Sequence, residues 1–270
     1  MDAIRVTVTR GGHVEAVHIV HVRSTAGDAA GDDMRSFLRS SLKPIQAIPL
    51  AEGYDDLDDD ELAIACASHQ AEPAQLAAVR KLLARAGATV DDLENGLQPG
   101  RPDGKLGHNC SGKHAGMLAA CRAHGWPQHP YRDPAHPLQQ RIAGLVGPVD
   151  GSGVDGCGVP TFALPLSGMA AVFARVPARV QAAMRAHPEL IGGEGSADTD
   201  LMRALPGWIA KGGAEGLFCA LSPDGVAWAL KVEDGSSRAL RPALAQVLGL
   251  DAFRTVPVRN SLGETVGSIS

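Results

Sequence analysis

The chain has 270 residues, 44% hydrophobic and 20% charged, which suffices to bury one large core or two coupled subdomains. A formal net charge of −5 disfavours nucleic acid or an anionic membrane as the main partner. No apolar run is long enough to span a bilayer, Met1-Asp2-Ala3-Ile4-Arg5 does not open a signal peptide, and five cysteines make no disulfide framework, so the cytoplasm is the expected location.

In chain order, residues 4–10 alternate apolar and polar, Gly11-Gly12 turns, and residues 14–22 return, which predicts a hairpin. Asp55 to Glu61 reads as a solvated turn leading into a helix. Helices are expected over 61–68, 73–86 closed by Gly87, 117–124 closed by Gly125, 138–146 closed by Gly147, and 178–186. Strands 216–221 and 226–232 flank the turn Ser222-Pro223-Asp224-Gly225, followed by a helix over 237–248 and a last strand over 253–258. This order predicts an α+β fold: an antiparallel sheet built from N- and C-terminal strands with an inserted helical subdomain. Residues 1–35 and 206–270 would form the sheet part, and 36–205 the helical part, of a single catalytic domain.

Within that frame, Ser40 and Lys43 stand three apart in Arg39-Ser40-Ser41-Leu42-Lys43-Pro44. If the run opens a helix, as Pro44 suggests, both side chains share one face. A serine hydroxyl needs a base to attack at neutral pH, and a lysine serves when its surroundings depress its pKa. The competing reading is a helix N-cap serine followed by a solvated lysine. Two glycine-rich stretches add chemistry: residues 106–117 carry His108, Asn109, Cys110, Lys113 and His114, and residues 154–160 carry Asp155 and Cys157. Glycines at that density favour backbone geometries suited to a site.

Six segments in order, Arg39 to Pro44, Ala65-Cys66-Ala67-Ser68-His69, His108 to His114, Asp155 to Pro160, Lys211-Gly212-Gly213-Ala214-Glu215-Gly216 and Lys231 to Gly235, run through most of the chain. Through them the sequence resembles the Rhizobium-type inducible bacterial L-asparaginase family. The resemblance implies a fold similar to serine β-lactamases and glutaminases, with two serine-lysine pairs, Ser40 with Lys43 and Ser68 with Lys231, and Asp155 close by. It also implies one zinc ion held by Cys110, Lys113 and Cys157, thiolates being ordinary zinc ligands. Arg39 is a candidate for binding the α-carboxylate, Asn109, His114 and Asp155 for contacting substrate, and Lys211 a weaker candidate. The bland readings are an edge lysine for Lys231, a helix-ending polar residue for Ser68, and small buried residues for the cysteines. Members of the family carry a His-Arg-Gly element after the first strand. Residues 18–33 here lack it and are shorter, which predicts an altered substrate range or lower activity if that element walls the pocket.

The expected reaction is hydrolysis of L-asparagine through an acyl-enzyme on Ser40 with Lys43 as base. Ser68 would relay protons or be itself the nucleophile. The alternatives are a related serine amidase acting on glutamine or a β-lactam, and a catalytically impaired zinc or amino-acid binder. Against the β-lactam reading, the chain has no Ser-Asp-Asn and no Lys-Thr-Gly element. A homodimer is a possible assembly.

Overall fold

The alternating N-terminal segment does form a hairpin, β1 (Ile4–Arg10) and β2 (His13–Ser24), extended by the two-residue β3 (Ala29–Ala30). The computed structural model describes residues 1–270. A short β4 (Arg35–Phe37) pairs with β6 (Pro160–Pro165), which also pairs with β5 (Gly151–Val154), making a small second sheet. The remaining strands are C-terminal: β7 (Ile209–Gly213), β8 (Leu217–Leu221), β9 (Ala227–Val232), β10 (Val256–Arg259) and β11 (Thr265–Ile269). The main antiparallel sheet runs β10-β11-β1-β2-β9-β8-β7, with β3 beside β2. The α+β architecture expected from the order of elements is therefore present, with N- and C-terminal strands in one sheet and the helices between them.

All five residues of β8 are buried, which requires cover on both faces of the sheet. The helix Leu166–Phe173 packs against β9, β2 and β8, and the short turn Arg39–Leu42 packs against β7 and β8. The helical part is organised around Ser111–His124, whose residues from Ser111 to Cys121 are all buried. It packs on Pro73–Ala86, Ile48–Gly53 and Asp59–Ala65. Two glycines permit this: a Cβ on Gly112 would stand 2.2 Å from the Ile64 carbonyl oxygen, and one on Gly116 would stand 2.9 Å from Ala65 Cβ.

Several expected boundaries need correction. The helix expected over 117–124 starts at Ser111, because its glycines serve close helix packing instead of a loop. The helix expected to end at Ser68 ends at Ala65, so Ser68 lies in the irregular segment beyond it. The helices Leu166–Phe173, Pro188–Gly192 and Ala197–Ala204 and the strand β11 were not anticipated. No helix is long and apolar enough to cross a membrane.

Residues 18–33 complete β2 and β3, and their two histidines tie β2 to the turn after β9. His18 Nδ1 lies 2.5 Å from Asp234 while its Nε2 accepts from Arg238 Nε at 2.9 Å. His21 Nε2 lies 2.7 Å from Glu233 and its Nδ1 accepts from the Asp32 N–H.

Candidate active site

Ser40 owes its position to an unusual backbone. Arg39 has φ +46°, a left-handed conformation that costs a residue with a Cβ and is concentrated at functional turns. It is held from both sides: the Arg39 N–H donates to Thr161 Oγ1 at 3.1 Å and Arg39 Nε donates to Asp155 at 2.6 Å. The chain then enters the 3₁₀ turn Arg39–Leu42 and the helical turn Lys43–Gln46. Ser41 next to it donates to the Lys211 carbonyl at 2.8 Å, fastening this turn to β7. Gly213 allows the approach, since a Cβ there would lie 3.1 Å from both the Leu38 oxygen and Ser41 Oγ.

Ser40 faces a cavity of about 310 Å³ that Ser68, Asn109, Asp198 and Lys211 also line. Behind it, Lys43 is wholly buried. Its Nζ donates to the Ala67 carbonyl at 2.5 Å, to Ser68 Oγ at 2.9 Å and to the Asn109 carbonyl at 3.4 Å. Burial pushes the Lys43 pKa below the ordinary lysine value; Cys110 opposes the shift, and the charges of Lys211 and Lys113 add to it. Such a lysine is neutral at a lower pH than one in water, which suits a base.

The pairs are drawn differently from the expectation. Lys43 hydrogen-bonds Ser68 and makes no hydrogen bond to Ser40; the two serines line the cavity together, and Lys43 reaches it through Ser68. Lys231 does not reach Ser68: its Nζ donates to its neighbour's carbonyl, Val232 O, at 2.5 Å, among Glu215, Asp234 and Glu233. The reason is the sheet register. Lys211 on β7 faces Cys219 on β8, which faces Ala229 on β9, so Lys231 lies two strands across and two residues along. At a strand spacing of about 4.8 Å that is some 10 Å sideways, from the edge strand β7 toward the middle of the sheet.

The second lysine of the cavity is Lys211. It is 1% exposed, and its Nζ donates to Asp198 Oδ2 at 2.9 Å and to the Gly212 carbonyl at 3.0 Å. Asp198 Oδ1 accepts the Gly212 N–H at 2.6 Å. Asp198 stands in the first turn of Ala197–Ala204, whose N-cap Ser196 accepts from the Thr199 N–H. Nothing in the sequence reading singled out Asp198; the available signal was Ser196 with an acidic first turn, an N-terminus signature on a helix that was not recognised.

The thiol residues do gather. Lys113 Nζ lies 2.8 Å from Cys157 Sγ, and all of Cys110, Lys113 and Cys157 are buried. The hydrogen bond from Cys157, against the opposing effect of burial, holds the Cys110 thiol well below its ordinary pKa, and nearby Lys43 and Lys113 reinforce this. Burial pulls the Lys113 pKa down, but Cys157 and Cys110 outweigh it and leave it raised. His114 stands beside this cluster, wholly buried, with Nδ1 2.7 Å from the Tyr131 hydroxyl and with Nε2 unpartnered. Cys110, Lys113 and Cys157, the residues expected around a zinc ion, thus lie together, and two sulfurs with a lysine amine are chemically suited donors.

Of the other candidates, Asn109 lines the cavity while its backbone N–H donates to Gln98 Oε1 at 2.8 Å. Arg39 is bound to Asp155, whose carboxyl is held below the ordinary range: burial opposes this, and Lys113, Arg39 and the Gly156 N–H overcome it. His114 does not line the cavity. Next to Ser68, His69 is buried with Nε2 2.8 Å from Ser111 Oγ and Nδ1 accepting from the Ala71 N–H. Because Ser111 gives its proton to the Leu106 carbonyl, His69 must donate from Nε2 and is therefore a fixed neutral tautomer. The acidic cluster Asp58, Asp60 and Glu61 is engaged by Lys81 and Arg85. A larger cavity of about 540 Å³ lies between Met1 to Arg5 and Trp228 and contains none of the groups above.

A family profile described as L-asparaginase II matches residues 6–270. Among curated proteins, none matches the chain.

Proposed function

From the premise that the chain belongs to the L-asparaginase II family and is an amidohydrolase acting on asparagine, we propose that it works through an acyl-enzyme on Ser40, with Lys43 as base and Ser68 as proton relay. The observation that carries this reading is Lys43: buried, lowered in pKa, and 2.9 Å from the Oγ of Ser68, which lines the cavity together with Ser40. Neutral Lys43 takes the Ser40 proton as Oγ attacks the side-chain amide carbon of L-asparagine. A backbone N–H beside Ser40 would receive the developing oxyanion, that of Ser41 being already given to the Leu38 carbonyl at 3.0 Å. Collapse of the tetrahedral intermediate breaks the C–N bond. The proton held on Lys43 passes through Ser68 to the departing nitrogen, which leaves as ammonia. Water then attacks the ester, gives a proton back by the same route, and L-aspartate leaves with Ser40 restored.

Cys110, Lys113 and Cys157 would hold a zinc ion, with His114 beside them. When bound, zinc would supply a fixed positive charge that orients polar groups behind the cavity. The residues of the chain carry the proton transfers by themselves: Asp155 fixes Arg39 and hence the Ser40 turn, and the Ala67 carbonyl fixes Lys43 Nζ.

The Lys43–Ser68 contact favours a second reading, in which Ser68 is the nucleophile. Acid quenching during turnover followed by peptide mass mapping separates the two. An aspartyl adduct on the Ser40 peptide, lost with ammonia release in Ser40→Ala, is the expected result. An adduct on Ser68, or a fully active Ser40→Ala protein, would remove Ser40 from the nucleophile's role.

A further inference from the structure

L-Asparagine brings to the enzyme an α-ammonium and an α-carboxylate as well as the reacting amide. Taking a charge out of water is costly unless it meets a partner of opposite sign. Asp198 is the one carboxylate lining the 310 Å³ cavity, and Lys211 its one charged cation. Arg39, the expected partner of the α-carboxylate, does not line the cavity and has its Nε committed to Asp155. The Asp198 carboxylate is anchored by the Gly212 N–H on Oδ1 and by Lys211 on Oδ2, and each oxygen keeps a second lone pair. The side chain is 10% exposed, and that edge borders the cavity.

From these positions we infer that Asp198 receives the α-ammonium of the substrate, with Lys211 beside it facing the α-carboxylate. The buried ion pair then reads the zwitterionic head group while Ser40 and Ser68 meet the side-chain amide. This rests on the cavity being the substrate site, as proposed above. The arrangement is pre-organised, because β7 and the helix Ala197–Ala204 hold the two charges in place before substrate arrives. It makes Asp198 the residue that separates an α-amino acid from an otherwise identical amide lacking the amino group.

The test uses succinamic acid, which keeps the amide and the carboxylate of asparagine and lacks only the ammonium. The kcat/KM ratio of L-asparagine to succinamate is measured on one preparation each of the wild type, Asp198→Asn and Asp198→Glu, so the fraction folded cancels. The wild type should favour asparagine, and Asp198→Asn should lower that ratio by on the order of ten- to a hundredfold, the size expected for a charge-assisted contact. Asp198→Glu should restore part of it. A ratio unchanged in Asp198→Asn would overturn the inference, since Asp198 would then act only by holding Lys211. If Asp198→Asn turns over neither substrate, the same comparison is made on dissociation constants of L-aspartate and succinate by calorimetry: loss of discrimination supports the inference, and equal loss for both overturns it. Failure of the underlying reading shows separately, as turnover retained in both Ser40→Ala and Ser68→Ala.

Discussion

Replacing Lys43 by methionine tests whether its amine serves chemistry or folding. Methionine keeps most of the buried stem and removes the Nζ contacts to Ala67 O, Ser68 Oγ and Asn109 O. At about 1 kcal/mol each, those contacts amount to roughly 3 kcal/mol of gross loss. The substitution also removes an amine from a wholly buried position, where desolvation depresses its pKa and costs several kcal/mol whenever it is charged. The two terms oppose, so the net change in stability is expected within about 2 kcal/mol of zero, or roughly 5 °C in Tm for a chain of this size. Activity should behave otherwise, because loss of a general base typically costs about 10²- to 10⁴-fold. Ammonia release from L-asparagine, measured beside calorimetric Tm, reads both quantities. A Lys43→Met protein that keeps more than a tenth of wild-type kcat would refute the base assignment. In the wild type, the lowered pKa also predicts that kcat/KM rises with pH through that value, as the amine becomes neutral, and levels off below the ordinary lysine range near 10.4.

Acid should destabilise the fold early. His69 has its pKa pushed down to about 3, chiefly by burial and then by Lys43, so the unfolded state binds its proton near pH 6.5 and the folded state only far below. Stability is then lost as pH falls from about 6.5 toward about 3, at up to roughly 1.4 kcal/mol per pH unit from this group; denaturation midpoints at pH 7 and pH 5 should show it, and a smaller slope in His69→Gln would assign it. Cys110→Ser and Cys157→Ser should each abolish zinc retention by elemental analysis, and zinc binding to the wild type should release protons, since a raised Lys113 and a thiol must give them up; a wild type purified in zinc-containing buffer without metal would remove zinc from the account. Gly112→Ala should cost about 1–3 kcal/mol through the clash with the Ile64 carbonyl, readable as a lower urea midpoint.

The legible parts of the fold were those whose pattern is local. The hairpin β1–β2 announced itself by alternation and a Gly-Gly turn, and Pro73–Ala86 by its period and its closing Gly87 in the left-handed conformation. β11 was missed because Thr265–Ile269 carries only Val266 and Ile269 as large apolar residues, and its pairing with β1 is specified from the far end of the chain. Gly112 and Gly116 misled in the other direction, since a glycine needed for helix contact looks like a loop glycine until its neighbour is known. In the candidate site, the Ser40–Lys43 spacing is a local pattern, whereas Ser68 and the set Cys110, Lys113 and Cys157 entered through the family resemblance. Lys231 and Lys211 are both lysines on buried strands, and only the strand order, with β7 at the edge, brings Lys211 to the border of the cavity. Asp198 could not be found that way, because its importance lies in a partner 13 positions distant on another element.

The N-terminal hairpin sits in mid-sheet, with β11 on one side and β9 on the other. Both neighbours lie near the opposite end of the chain, so a ribosome delivers the hairpin long before anything can cover its two edges. Open edges of this kind recruit other strands, including those of other nascent chains. The protein therefore depends on its helical middle folding first, or on a chaperone shielding residues 4–24, until the last strands emerge. Recombinant yield should accordingly respond to slower translation and lower temperature more than to changes in the active site.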